Sequence, residues 1–204
     1  MISLIGGIGS GKSALSQELA KRHSVLVINA DKIGHEVLTE PDVIAQLKMF
    51  FGPNIVNASG EIVRSRVADL VFGDAPEQKT AHQQLEETVH PRIRSRIEQK
   101  IHNARNSSSC DLIILDAALL LEADWDRVCD LIFFIDVSEE TRLQRVQQNR
   151  NWTEEEFRKR EQNQLGLLEK QKRADYTIEN NSSLTSAVDQ LETYLKQHFQ
   201  TGPR

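Results

Sequence analysis

Eight residues near the start of the chain, Gly6-Gly7-Ile8-Gly9-Ser10-Gly11-Lys12-Ser13, constrain its fold more than any other stretch. They spell G-x-x-x-x-G-K-[ST] and stand between an apolar run that reads as a strand and a helix-period segment, the setting such a loop demands. Four glycines let the backbone turn its N–H groups inward around a phosphate, and the following helix adds the partial positive charge of its N-terminus. Lys12 can then reach the β- and γ-phosphates of a nucleoside triphosphate, and Ser13 can ligate Mg²⁺. Gly7, Ile8, Gly9, Ser10, Gly11, Lys12, Ser13 and Ala14 are thus the predicted nucleotide-binding residues. A bare glycine-rich turn capping an ordinary strand–helix unit would not need all eight positions and both flanks to agree.

The remaining pattern places this loop in an α/β fold. Short apolar runs at 3–5, 25–28, 112–115 and 131–135 read as buried strands of a parallel sheet, with a weaker fifth at 176–179. Helix-period segments follow at 12–22, 139–149 and 183–199, with Ser138 and Ser182 or Ser183 placed as N-caps. Alternating strand and helix predict a three-layer fold with a five-stranded parallel sheet. The connection between the second and third strands is far longer than the two to six residues usual for such a fold, so it predicts an inserted helical unit at 33–110. Its helices are expected at 42–51, 65–72, 77–89 and 91–105, with Pro91 separating the last two. The core is then 1–32 and 111–204. A charged helical segment at 153–172 has a Thr153/Glu156 capping box and few apolar positions, and is expected outside the core.

Charge and cysteine content narrow the partners. Among 204 residues, 25 Lys and Arg oppose 30 Asp and Glu for a net charge of −5, which leaves no global positive field to hold a nucleic acid. No apolar run approaches membrane-spanning length, and the first residues lack the basic start and long apolar core of a signal peptide. Cys110 and Cys129 read as buried thiols in a reducing compartment, so a cytoplasmic setting is expected.

A phosphate loop serves switches, motors and kinases alike. No Asn-Lys-x-Asp occurs to read guanine, and no Leu-Ser-Gly-Gly-Gln marks a transporter ATPase, which leaves a small-molecule kinase. The third strand ends in Asp116, a Walker B arrangement that sets a carboxylate beside Mg²⁺. The second strand runs into Asn29-Ala30-Asp31, so Asp31 is expected at the C-terminal edge of the sheet, where ligands bind. For each aspartate the plainer alternative is a helix cap.

Taken together, these residues resemble the dephospho-CoA kinase family over nearly the whole chain. The phosphate loop and Asn29-Ala30-Asp31-Lys32-Ile33 look like the family's opening pair of motifs. Gly60-Glu61-Ile62-Val63-Arg64 and Val89-His90-Pro91-Arg92-Ile93 are similar to its acceptor-domain signatures, and Ala118-Leu119-Leu120-Leu121-Glu122 to its Pro-Leu-Leu-Phe-Glu. Gln164, Lys170, Ala174-Asp175, Ile178 and Asn180 keep its C-terminal spacing. Four departures occur: Asn29 replaces the usual first Asp, Ala118 the usual Pro, Leu121 the usual Phe and Ala14 a frequent Thr.

The resemblance implies transfer of phosphate from Mg-ATP to the ribose 3′-hydroxyl of dephospho-CoA, the last step of coenzyme A synthesis; a monomer is expected. It implies Asp31 as general base, Arg64, His90 and Glu122 beside Asp31 at the acceptor, Asn180 at the nucleotide, and a helical lid at 145–172. The plainer alternatives are a helix cap for His90 and a solvated charge for Arg64. Of Arg142, Arg145, Arg150, Arg158 and Arg160, the lid arginine is expected to be Arg150, beside the Asn151-Trp152 break, with Arg145 second; a solvated helix face is expected for most of the others. Another P-loop metabolite or nucleoside monophosphate kinase, and a nucleotide-binding regulator without turnover, are the competing readings.

Overall fold

The computed structural model describes residues 1–73, 75–107, 110–117, 120–121 and 125–199. Its strands are β1 (Ile2–Gly6), β2 (Val25–Asn29), β3 (Leu112–Asp116), β4 (Leu131–Asp136) and β5 (Tyr176–Glu179), in the order β2-β3-β1-β4-β5. The chain divides into two compact units, Met1–Ile28 with Ala104–Arg204, and Asn29–Asn103.

In the first unit β1 is the central strand. It pairs in parallel with β3, Ser3 beside Leu115, and with β4, Leu4 beside Phe133. β4 pairs in parallel with β5, Ile135 beside Ile178. Alternate residues Ile2, Leu4, Ile114, Leu131, Phe133, Ile135 and Ile178 form one apolar face. Against it pack Leu15 and Leu19 of α1 (Lys12–Arg22) and Ala187, Val188 and Leu191 of α9 (Leu184–Phe199), spaced to share one side of each helix. Ser183 caps α9, its hydroxyl accepting the Ser186 N–H at 3.1 Å. On the other sheet face Ile5, Ile113, Leu115, Ile132 and Phe134 are also buried, which is why the strands read as continuous apolar runs. Ser3 lies on that face and donates its hydroxyl to the Leu115 carbonyl at 2.7 Å.

α6 (Glu139–Arg150) is capped by Ser138 and ends at Asn151, the one non-glycine residue with positive φ among those described. The charged segment after it is not one helix outside the core. It forms α7 (Glu154–Gln162), opened by the Thr153/Glu156 capping box, and α8 (Leu167–Lys172), and it buries Phe157 completely. One aromatic ring at the right place docks a helix whose composition is otherwise that of a solvated surface. The two cysteines are half-buried and free.

The second unit carries α2 (Ala30–Val37), α3 (Pro41–Phe51), a 3-10 turn Pro53–Ile55, an antiparallel bridge between Val56 and Ile62, α4 (Arg64–Val71), and all but the last four residues of α5 (Pro76–Ser107). α5 runs unbroken through Pro91, where two helices were expected. Carbonyls near the proline find side-chain donors: Arg92 gives a guanidinium N–H to the Thr88 carbonyl at 2.9 Å, and the buried Thr88 hydroxyl donates to Gln84. Arg92 pairs with Asp42 at 2.6 Å, and Arg96 with Glu40 at 2.5 Å and Glu36 at 3.4 Å, fastening α5 to the α2–α3 corner. Among the described residues no helix is long and apolar enough to cross a membrane.

Candidate functional site

The phosphate loop leaves the central strand at Gly6, and α1 begins directly beneath it at Lys12. No side chain caps α1. Its first amide donors therefore face the loop without a side-chain acceptor, and the partial positive charge of the helix start is available to a phosphate. Gly11 occupies the N-cap position with φ +90°, and a Cβ there would stand 2.8 Å from Nδ2 of Asn180. Only glycine combines that backbone with that approach.

Side chains from distant segments brace the loop. Asn180, buried just past β5, donates from Nδ2 to the Ser10 carbonyl at 2.9 Å. Arg145 on α6 donates to the Asn180 carbonyl at 2.9 Å and lies 3.4 Å from the Ser10 carbonyl. Lys12 folds back so that Nζ sits 3.2 Å from the Gly6 carbonyl and 3.4 Å from that of Gly7. These groups line a cleft of about 370 Å³ in which Gly11, Lys12, Ala14, Arg145, Arg150 and Asn180 meet. Its three cationic side chains suit a polyphosphate.

The arginines do not share one environment. Arg150 lines the cleft, with its guanidinium 4.8 Å over the Trp152 ring, and Arg160 covers the same ring at 4.3 Å. Arg158 stands on the surface, paired with Glu154 at 2.8 Å and Glu139 at 3.1 Å, as a solvated helix face predicts. Arg142 does not fit that expectation: it is 2% exposed and lies against the loop.

Lys170, which was not among the expected site residues, lies beside Lys12. It is 3% exposed, donates to Gln164 Oε1 at 2.9 Å, and shares a small cavity with Lys12, Gly6 and Ala117. Its only signal in the sequence was a position in a spacing pattern, because a lysine in a charged helix looks solvated.

Ser13 is exposed on the first turn of α1, and Asp116 is half-buried at the end of β3. Among the described residues no cluster of three or more His, Cys, Asp or Glu side chains could hold a metal ion alone. One hydroxyl and one carboxylate nevertheless fit Mg²⁺, which keeps several waters and shares its shell with phosphates.

In the second unit, Asp31 is exposed on the first turn of α2. It does not cap that helix: Asn29 does, its Oδ1 accepting the Lys32 N–H at 2.6 Å. His90 does not cap a helix either, because α5 continues past it; its Nε2 lies 3.9 Å from Glu86 Oε1. Gly34 and Ile93, one turn after Asp31 and His90, meet where α2 packs on α5. Arg64 is exposed at the first position of α4. Glu122 and Ala118 lie outside the described residues.

Comparison with known proteins adds a further observation. The family model described as Dephospho-CoA kinase matches residues 1–186. A dephospho-CoA kinase of Rhodopirellula baltica is 36% identical over 183 residues, 90% of this chain and 83% of its own. One of Carboxydothermus hydrogenoformans is 35% identical over 199 residues, covering 97% and 93%. The crystal structure of TT1252 from Thermus thermophilus superposes with a TM-score of 0.81 at 28% identity over 96% of each chain. A dephospho-CoA kinase from Campylobacter jejuni shares the fold at TM-score 0.70 and 23% identity, covering 97% of this chain and 98% of its own.

Proposed function

The chain belongs to the dephospho-CoA kinase family, and we propose how its residues divide the work of moving the γ-phosphoryl group of ATP to the ribose 3′-hydroxyl of dephospho-CoA. The loop amides from Gly7 to Ser13 and the start of α1 hold the triphosphate, with Lys12 on the β- and γ-oxygens. Arg145 and Asn180 keep the loop in shape from behind, and Arg150 approaches the transferring group from the cleft wall. Asp31 accepts the proton of the 3′-hydroxyl as its oxygen bonds to the γ-phosphorus and the bond from that phosphorus to the bridging oxygen of ADP breaks. Arg64 and His90 in the 33–110 unit, with Glu122 from the segment after β3, bind the acceptor, and residues 145–172 act as the lid. Ser13 and Asp116 would hold Mg²⁺, which when bound neutralises charge on the β- and γ-oxygens.

The observation that carries this reading is the uncapped start of α1 beneath a glycine loop flanked by Lys12 and Arg145. For the base, the supporting fact is that Asn29 takes the capping position and leaves the Asp31 carboxylate exposed. An ADP-release assay offering dephospho-CoA, AMP, CMP or no acceptor tests the substrate. The expected result is turnover with dephospho-CoA alone, one added phosphate by mass spectrometry and a 3′-phosphomonoester by phosphorus NMR. Turnover of AMP at similar efficiency, with none of dephospho-CoA, contradicts it.

A further inference from the structure

We infer that the Arg142–Glu161 ion pair is a positioning device that ties α7 to the phosphate loop and sets nucleotide affinity. This rests on the reading of that loop as the nucleotide site.

Arg142 is the fourth residue of α6 and is 2% exposed, and a buried cation is tolerated only when it is well paired. Its partners come from three places. Nε donates to the Val137 carbonyl at 3.2 Å, at the exit from β4. One terminal nitrogen donates to the Ile8 carbonyl at 3.3 Å, inside the phosphate loop. That same nitrogen pairs with Glu161 on the last turn of α7. The guanidinium carbon lies 5.3 Å from the centre of the Phe157 ring, also on α7. The contact with the loop is tight enough that a Cβ on Gly7 would stand 2.6 Å from the guanidinium nitrogen.

Peptide planarity turns these contacts into control of the loop. The Ile8 carbonyl and the Gly9 N–H belong to one trans peptide unit and point in opposite directions. A donor that pins the Ile8 oxygen toward Arg142 therefore aims the Gly9 N–H away from it, and Gly9 lines the cleft. The guanidinium is a rigid planar fork, so moving Glu161 rotates the donor that holds Ile8. The position of α7 is in this way transmitted to a phosphate-binding amide without either charged residue being needed at the phosphate.

A purely structural ion pair would lower stability when broken and leave the affinity of the folded protein alone. The experiment is calorimetric titration of the full chain with ADP, alongside thermal unfolding, for Glu161→Gln, Arg142→Lys and the paired apolar replacement Arg142→Met/Glu161→Leu. Each single variant is expected to bind ADP on the order of tenfold more weakly, because each loses a charge-assisted contact that fixes the loop. Arg142→Lys keeps the charge but loses the fork and should not rescue affinity. The apolar pair is expected to regain melting temperature without regaining affinity. An ADP affinity unchanged in folded Glu161→Gln and Arg142→Lys, or restored together with stability in the apolar pair, overturns the inference. The readout does not involve the acceptor. Failure to turn over dephospho-CoA bears on the substrate, whereas absence of nucleotide binding in the wild-type chain overturns both.

Discussion

Oδ1 of Asn29 accepts the backbone N–H of Lys32 at 2.6 Å and thereby caps α2, leaving Asp31 two positions later with an exposed carboxylate. An N-cap side chain satisfies an amide that the helix cannot, while an acid on the first turn gains only from the helix dipole. Asn29→Ala should therefore cost about 1 kcal/mol of stability, whereas Asn29→Asp, which can also cap, should stay within about 0.5 kcal/mol. Urea unfolding of both variants checks this, and equal losses would show that the cap contributes little.

Lys12→Ala should leave the melting temperature nearly unchanged and lower turnover on the order of 10²- to 10³-fold, since a preorganised cation acts on charge that develops during transfer. Steady-state kinetics on the folded variant measures it; near-wild-type turnover would count against the loop as the transfer site.

The arginines should separate by environment. Arg158→Ala removes a surface pair and should change kcat little. Arg150→Ala, at the cleft, should lower kcat more than it raises the KM for the acceptor. Arg145→Ala removes the contacts to the Asn180 and Ser10 carbonyls and should weaken nucleotide binding as well. Equal effects of Arg150→Ala and Arg158→Ala would reassign Arg150 to the solvated surface.

Burial pushes the Cys129 thiol up to about 12. In the unfolded chain a thiol ionises near its ordinary value of about 8.5, so between these values the folded protein holds the proton that the unfolded chain releases. Its contribution to stability is thus complete below about pH 8.5 and is lost as the pH rises toward 12. Denaturant midpoints from pH 7 to 10 should fall less steeply in Cys129→Ala than in the wild type, and Cys129 should label slowly at pH 8 until the protein unfolds.

What the sequence made legible was local or periodic. The glycine pattern from Gly6 to Lys12 and the alternation of Ile2, Leu4, Phe133 and Ile135 carry their structural meaning within a few residues. The misjudged features depend on partners that a local residue pattern does not reveal. Arg142 looks like Arg158 in sequence, and contacts with Glu161, Phe157 and the Ile8 carbonyl make one of them a buried brace. Pro91 reads as a helix break, yet tertiary packing of α5 against α2 and α3 and the Arg92 bond to Thr88 carry the helix through it. Lys170 gave no local sign of burial.

The most direct test of the mechanism is single-turnover phosphorylation of dephospho-CoA by Asp31→Asn, with ATP affinity measured on the same protein. The substitution keeps size and hydrogen bonding but cannot take up the hydroxyl proton, so the chemical rate should fall roughly 10²- to 10⁴-fold while ATP affinity stays near wild type. Asp116→Asn, run in parallel, should instead raise the Mg²⁺ requirement. A folded Asp31→Asn protein that retains more than about a tenth of the wild-type chemical rate would contradict the assignment of Asp31 as the base.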